Sequence, residues 1–384
     1  MRTGVANLPL HGGRAPPWLF KRMVSLAEGI LEVTVDEYGT RVLLQRISDP
    51  FWFQALSCVL GYDWHSSGTT TVTCGALKEA LKRTEIDLVI AGGKGAASRR
   101  TPREIEDASS SLELGEDQTS SMVRNSRMSA KVDTAALQDG HDLYHHVYMF
   151  DSECNWAVVQ QGMCDSSKMA RRYHWLGEGL TDLVSEPHSA LMGEKTVGVL
   201  DMTSRDSSGC RNASLDLVND GPRRFRHFLR ETTPMNQRTL DDWCSAPCGP
   251  RGYGASNKSG PSPRYVDVLS MPRSINWRAL EEAYESQPSN YETLLGMEGV
   301  GPSTVRALSL VSELVYGEEP SWRDPVKYSF AVGGKDGVPF PVDRRAMDEA
   351  ADVLRRGVDA ARVGDRDRLR AVGRLRKLVP PDIQ

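Results

Sequence analysis

Residues Tyr291 to Gly317, YETLLGMEGVGPSTVRALSLVSELVYG, hold two helical patterns joined by a glycine-rich turn. Tyr291–Leu295 fits one short helical turn, and Gly299-Val300-Gly301 fits a tight hairpin. A second helix is expected from Pro302-Ser303-Thr304 through Leu314. The glycines open backbone angles closed to residues with side chains, and proline suits a first helical position. Leu294, Leu295 and Val300 are expected to pack against Val305, Leu308 and Val311, which recur at helical spacing. The hairpin N–H groups and the N-terminus of the second helix then point outward together, where they can hold a phosphate oxygen. Ser303, Thr304 and Arg306 stand ready to add donors.

Such a unit resembles a helix-hairpin-helix, a module that grips the nucleic-acid backbone without reading bases. An ordinary helical hairpin is the plainer alternative. The composition does not announce a nucleic-acid binder: over 384 residues the formal net charge is −4 and the pI about 6.1, so any basic surface must be local. The hydrophobic content of 39% suffices for packed cores, and no apolar run is long enough to span a membrane. The start, MRTGVANLPLHGG, lacks the apolar region of a signal peptide. The 7 cysteines are odd in number and scattered among apolar positions, which favours reduced thiols in a cytoplasmic protein. Cys244 and Cys248 have a loose metal-ligand spacing, but no second pair follows.

The first half alternates elements of both kinds. Thr3–Leu10 reads as a short strand; a helix from Pro16-Pro17 carries Trp18, Leu19, Met23, Leu26 and Ile30 on one side. Asp49-Pro50 caps the helix of Phe51–Leu60, and the loop Asp63-Trp64-His65-Ser66-Ser67-Gly68 leads through threonines to a helix around Ala76–Leu81. Ile86–Ala91 reads as a buried strand ending in a Gly92-Gly93-Lys94-Gly95 loop. Residues 100–128 are polar surface helix and loop, and Leu143–Asp151 with Asn155–Met163 form a hairpin. A helix is expected at Ala170–Leu176, a strand at Thr196–Met202, and helices near Ser214–Val218 and Pro222–Arg230. The Gly/Pro/Ser-rich stretch 244–263 reads as an interdomain linker or exposed loop. Beyond it helices are expected at Trp277–Tyr284, in the hairpin unit, and at Asp343–Gly357 and Asp365–Leu378. The expected fold is an α/β or α+β N-terminal domain, residues 1–243, that would carry any catalysis. A mostly helical, helix-hairpin-helix-containing domain, residues 264–384, follows it.

Taken together, RTGVANLPLHGG, DPFWFQALSCVLGYDWHSSGTTTVTCGALKEAL, AGGKG with SRRTP, LQDG with LYHH, WAVVQQGM with ARRYHW, RHFLRE, and AYESQP through GVPFPVDR resemble the archaeal and bacterial family known as domain of unknown function 763 (DUF763). The match extends from the first residues to about Asp343. The resemblance implies a cytoplasmic protein with a helix-hairpin-helix-like C-terminal part, and leaves activity to be argued from residues.

Three glycine pairs precede a basic residue: Gly12-Gly13-Arg14, Gly92-Gly93-Lys94 and Gly333-Gly334-Lys335. Consecutive glycines let N–H groups converge on an anion, and the cation adds charge, which makes Lys94 and Lys335 candidate phosphate contacts. His141, His145 and His146 crowd beside Asp139 and Asp142, with His65 upstream. On a regular strand Asp142, Tyr144, His146 and Tyr148 share one face. Asp142 and His146 would then hold a divalent metal, Mg or Mn, and with His65 form a catalytic set for phosphodiester hydrolysis. Arg171 and Arg172, interleaved with Tyr173, His174 and Trp175, suit backbone contact with base stacking, although a solvated helix face fits equally. Arginines from Arg355 to Arg376 give the C-terminal helices a local positive excess. Asp343 follows a Gly/Pro-rich loop, as in helix-hairpin-helix glycosylases, but a plain helix N-cap is the simpler reading.

The DNA-binding set is therefore Gly299, Val300, Gly301, Ser303, Thr304, Arg306, Lys94, Lys335, Arg171 and Arg172; the catalytic set is His65, Asp142 and His146. The expected function is non-sequence-specific DNA binding coupled to metal-dependent cleavage in DNA processing or repair. A non-catalytic repair scaffold and a base-excision glycosylase are the alternatives. DNA is the expected partner, no membrane is, and self-association into a homo-oligomer is left open.

Overall fold

The computed structural model describes residues 8–10, 15–62, 66–232, 271–272, 274–326, 344–361 and 363–378. In chain order the strands are β1 (Leu8–Pro9), β2 (Leu88–Lys94), β3 (Leu137–Gln138), β4 (Asp142–Asp151), β5 (Trp156–Cys164), β6 (Met169–Leu176), β7 (His188–Met192) and β8 (Leu200–Asp201). The helices of the first half are α1 (Pro17–Ser48), α2 (Pro50–Leu60), α3 (Ser67–Leu81), α4 (Thr101–Ser109), α5 (Glu116–Lys131), α6 (Ser208–Asn219) and α7 (Pro222–Thr232). Those of the second are α8 (Trp277–Ser286), α9 (Tyr291–Gly296), α10 (Pro302–Val311), α11 (Arg344–Ala360) and α12 (Asp365–Leu378). They form two compact units, and neither is continuous in sequence: one comprises residues 1–134, 138–196 and 324–384, the other 135–137 and 197–323.

The first unit is built on a sheet of order β1-β6-β5-β4-β2, with β7 added beside β6. All its pairings are antiparallel, which decides for α+β. The β4–β5 hairpin closes as its sequence implies: the Asp151 carboxylate accepts from the N–H groups of Glu153 and Asn155 at 3.0 and 2.9 Å. On one face Val147, Met149, Ala157 and Val159 meet Leu26, Ile30, Phe53, Leu56 and Leu77 in a continuous apolar core. Asp49 caps α2 as expected, its carboxylate accepting from Phe51 and Trp52 N–H at 2.7 and 3.2 Å. Leu354, Val358 and Ala371 of α11 and α12 belong to the same core. The crossing of α1 and α11 leaves no room for side chains: a Cβ on Gly29 would lie 2.6 Å from Ala361 Cα, and one on Gly357 2.6 Å from Ile30 Cα.

Several sequence expectations change here. Residues 170–176 are strand β6, not a helix. Both its faces are buried, so the polar–apolar alternation that betrays a strand is missing. Gly92-Gly93-Lys94 is the end of β2 rather than a loop after it. In the stretch 196–202 only Leu200–Asp201 is strand. Trp18 is 59% exposed, although Met23, Leu26 and Ile30 of the same helix are buried.

The second unit holds the short β3–β8 pairing and α6 to α10. Its interior joins Leu217 and Phe225 with Leu280, Leu294, Leu295, Val300, Val305, Leu308 and Val311, all buried. The apolar positions chosen from 291–317 are thus buried in the manner expected. Residues 197–232 belong to this unit and 344–378 to the first, whereas the sequence division puts them in the N-terminal and C-terminal domains respectively. The stretch 244–263 lies outside the described residues.

Candidate functional site

Four of the sequence motifs meet in one cross-strand row of the first unit. Lys94 of β2 stands opposite His145 of β4, His145 opposite Gln161 of β5, and Gln161 opposite Arg172 of β6. Directly opposed residues project from the same face of a sheet, here the face covered by α1 to α3. The start of α3 lies over the row: the Gln161 amide donates to Ser67 carbonyl at 2.8 Å and to the Tyr144 hydroxyl, and Thr70 donates to Gln161. Arg172 Nε donates to Thr70 Oγ1 at 2.8 Å, and its guanidinium lies 4.7 Å from the centre of the Phe53 ring. Lys94 is exposed at the outer end, its ammonium 5.7 Å from the Tyr144 ring centre. The row therefore runs from solvent into the interior.

Burial makes the inner end electrostatically unusual. Arg172 is fully buried, and its only hydrogen-bond acceptors among the described residues are the neutral oxygens of Thr70 and Gln54. Burial pulls its pKa down to about 10, and its Nη1 has no hydrogen-bond partner. His145 is 1% exposed and neither ring nitrogen is bonded. Burial, with the nearby His146, Arg172 and Lys94, holds it at about 3, so it is neutral at pH 7.

Asp142 and His146 do not share a face. Tyr144 is an extra residue in β4: Leu143 pairs with Gly162 and His145 with Gln161, leaving Tyr144 outside the ladder. Such a bulge reverses the alternation beyond it. Asp142, opposite Met163, thus falls on the side of His145, and His146, opposite Gln160, falls on the other. His146 is buried, with Nε2 2.9 Å from Ser126 Oγ and Nδ1 2.9 Å from Gln160 Oε1. Burial lowers its pKa to about 4. Both ring nitrogens of His146 are thus engaged, and the expectation that Asp142 and His146 share one face is corrected. Among the described residues no cluster of three His, Cys, Asp or Glu is arranged to hold a metal ion.

That second face carries a carboxylate network. Asp133 accepts from Gln160 Nε2 at 2.7 Å and Trp175 Nε1 at 3.0 Å and pairs with His188. Asp139 accepts from Arg171 Nη1 at 2.9 Å and the Tyr173 hydroxyl at 2.7 Å. Burial alone would push Asp139 up, but Arg171, His141 and Tyr173 outweigh it and hold the carboxyl at about 2. Asp324 accepts from Arg171 Nη2 at 2.7 Å. Arg171 and Arg172, both with 0% exposure, are therefore internal groups and not the surface phosphate contacts expected of a helix. The amide of Gly92, likewise, is not free to cradle an anion, since it donates to Glu104 Oε2 at 2.9 Å.

In the second unit Gly299 has φ 81°, and a Cβ there would lie 2.5 Å from Asn276 Nδ2. Gly301 caps α10 in extended conformation, with no side-chain cap, and a Cβ added to it would meet nothing within 4 Å. Ser303 is partly exposed, while Val300 and Thr304 are buried. Arg306 is half-buried, 5.9 Å from the Trp322 ring centre. His65, Lys335, Asp343, Arg14, Cys244 and Cys248 lie outside the described residues. Asp139 stood in the histidine–aspartate cluster of the sequence, whereas Gln161, Thr70, Asp133 and Asp324 carried no motif; the two glutamines inside the apolar run Trp156–Met163 were the available signal.

Fold and site define a two-unit α+β protein with a buried polar row in its sheet and a glycine turn between two helices. The chain belongs to the family described as protein of unknown function (DUF763), whose model matches residues 4–342. No curated protein and no solved structure matches it.

Proposed function

We propose that this chain binds the phosphate backbone of DNA without sequence preference, through the turn between α9 and α10 acting as a helix-hairpin-helix. The observation that carries the reading is the pair of glycines. Gly299 takes a left-handed conformation against Asn276 and Ala279, while Gly301, two residues on, is extended and open at the uncapped start of α10. An uncapped helix start with free approach suits a phosphate oxygen. The neighbouring α7 supports it with exposed Arg223, Arg224, Arg226 and Arg230 in a chain that is acidic overall. Non-catalytic binding stands ahead of metal-dependent cleavage, because Asp142 and His146 lie on opposite faces of the sheet.

Gly301→Val is the discriminating variant. Its φ of −111° is open to any residue and its Cβ meets no neighbour, so the fold should persist while phosphate approach is blocked. Anisotropy titrations with labelled duplex and single strand should give steeply salt-dependent affinity for wild type, lost in the variant. Unchanged affinity would remove the hairpin from the reading. Incubating the same DNA with Mg²⁺ or Mn²⁺ tests cleavage; metal-stimulated products would restore the nuclease reading over the scaffold.

A further inference from the structure

The row in the first unit has no part in the hairpin reading and stands independently of it. We propose that Lys94, His145 and Arg172, together with the start of α3, form a binding site for a phosphate-class oxyanion. The buried charges of β6 are unequally matched. A buried guanidinium is normally matched by a carboxylate, because an unmatched ion in the interior loses its hydration with nothing to replace it. The other buried arginine of the same strand obeys this rule: Arg171 is held between Asp139 and Asp324 at 2.9 and 2.7 Å. Its neighbour Arg172, equally buried, has only neutral oxygens and an aromatic face among the described residues.

Three independent features point the same way. Nη1 of Arg172 is a buried donor with nothing to receive it, on a guanidinium tied by Nε to Thr70 in the opening turns of α3. His145, one strand beyond Gln161, offers a ring with both nitrogens unbonded. The first turns of the 15-residue α3 lie over the same row, through Ser67 to Gln161 and Thr70 to Arg172, and bring the partial positive charge of a helix start to it. Lys94, exposed at the outer end of the row, adds a cation there. An oxyanion accepting from Arg172 Nη1 and from one His145 N–H supplies the missing counter-charge and gives a partner to Nη1 and to one of the two unbonded ring nitrogens. The chemistry fits inorganic phosphate or the terminal phosphate of a nucleic-acid strand.

The test uses the full chain and inorganic phosphate, measured by calorimetry and thermal shift against chloride at equal ionic strength. Wild type should show saturable binding and a rise in Tm. Arg172→Met should abolish the response while leaving the phosphate-free protein as stable as wild type or more so, since an unmatched buried charge has been replaced by an apolar chain. A structural strut would behave oppositely: Arg172→Met would destabilise the protein whether or not phosphate is present. Lys94→Ala, at an exposed position, should fold normally and weaken phosphate about tenfold, the value of one charged contact. Competition by a 5′-phosphorylated oligonucleotide, and not by its 5′-hydroxyl twin, would identify a strand end as the source; competition by neither would assign the site to free phosphate. Absence of saturable phosphate binding in wild type, or full binding by both variants, overturns the proposal. A loss confined to Gly301→Val in DNA titrations would bear on the hairpin alone.

Discussion

Adjacent arginines on β6 point to opposite faces of the sheet and meet opposite fates. Arg171 is clamped by two carboxylates, and removing it strands both as uncompensated buried charges. Arg171→Ala should cost about 3–5 kcal/mol, measured by urea denaturation. The buried imidazoles make a second residue-level prediction. His145 and His146 are held at about 3 and 4, below their ordinary 6.5, chiefly by burial. Above pH 6.5 both rings are neutral folded or unfolded, so stability does not depend on them. As pH falls from 6.5 towards 4 the unfolded chain takes protons the folded one refuses, and stability is lost. The loss should be on the order of 3 kcal/mol for His146 alone, read from denaturation midpoints at stepwise lower pH. His146→Gln should flatten the slope, and an unchanged slope would exclude this ring as its source. Nothing in the order Arg171-Arg172 distinguishes the two side chains in sequence; only their long-range partners, Asp139, Asp324 and Thr70, do so.

Elements were legible where their pattern was local and obscured where it was not. Asp49-Pro50 announces α2 because a cap and a first-turn proline act within four residues. The β4–β5 hairpin was equally readable, since apolar runs flank a polar turn. Strand β6 was not, because helices bury one of its faces and the carboxylate network the other. The bulge at Tyr144 left no mark in the sequence, and it alone moved Asp142 away from His146. The α1–α11 crossing makes a prediction at this scale. Both helices present glycine at the contact, with backbone atoms 2.6 Å from where a Cβ would sit. Gly357→Val must therefore push α11 off α1 and uncover Ile30, Leu354 and Val358. A destabilisation of about 1–3 kcal/mol is expected from overpacking, with increased protease sensitivity around residues 344–378. Undiminished stability would mean that α11 contributes nothing to the core.

At the scale of the whole chain, the coarse plan of a sheet-containing first half and a helical second half was readable, but the partition was not. Periodicity identifies helices without saying which core they join. Thus α6 and α7 lie with the hairpin unit, while α11 and α12, far along the chain, complete the core of the first. Asp324, just after the second unit in sequence, supplies Arg171 with one of its carboxylates. A chain ended at residue 323 should therefore retain a folded second unit yet lose cooperative unfolding of the first. Amide hydrogen exchange would check this: protection should persist in α8 to α10 and fall in α1 and β6. Equal protection in both would show that the terminal helices are dispensable.

The discontinuity of the first unit also sets an order of events during synthesis. Protein emerges from the ribosome from its N-terminus, and domains fold as they become complete. Residues 1–196 leave the ribosome with their sheet but without α11 and α12, whose Leu354, Val358 and Ala371 fill its core. The unit of 197–323 is then finished while its host is still open. The face of α1 around Gly29 and Ile30 is therefore expected to stay bare during synthesis until α11 and α12 have been made, whereas the helical unit needs nothing beyond residue 323.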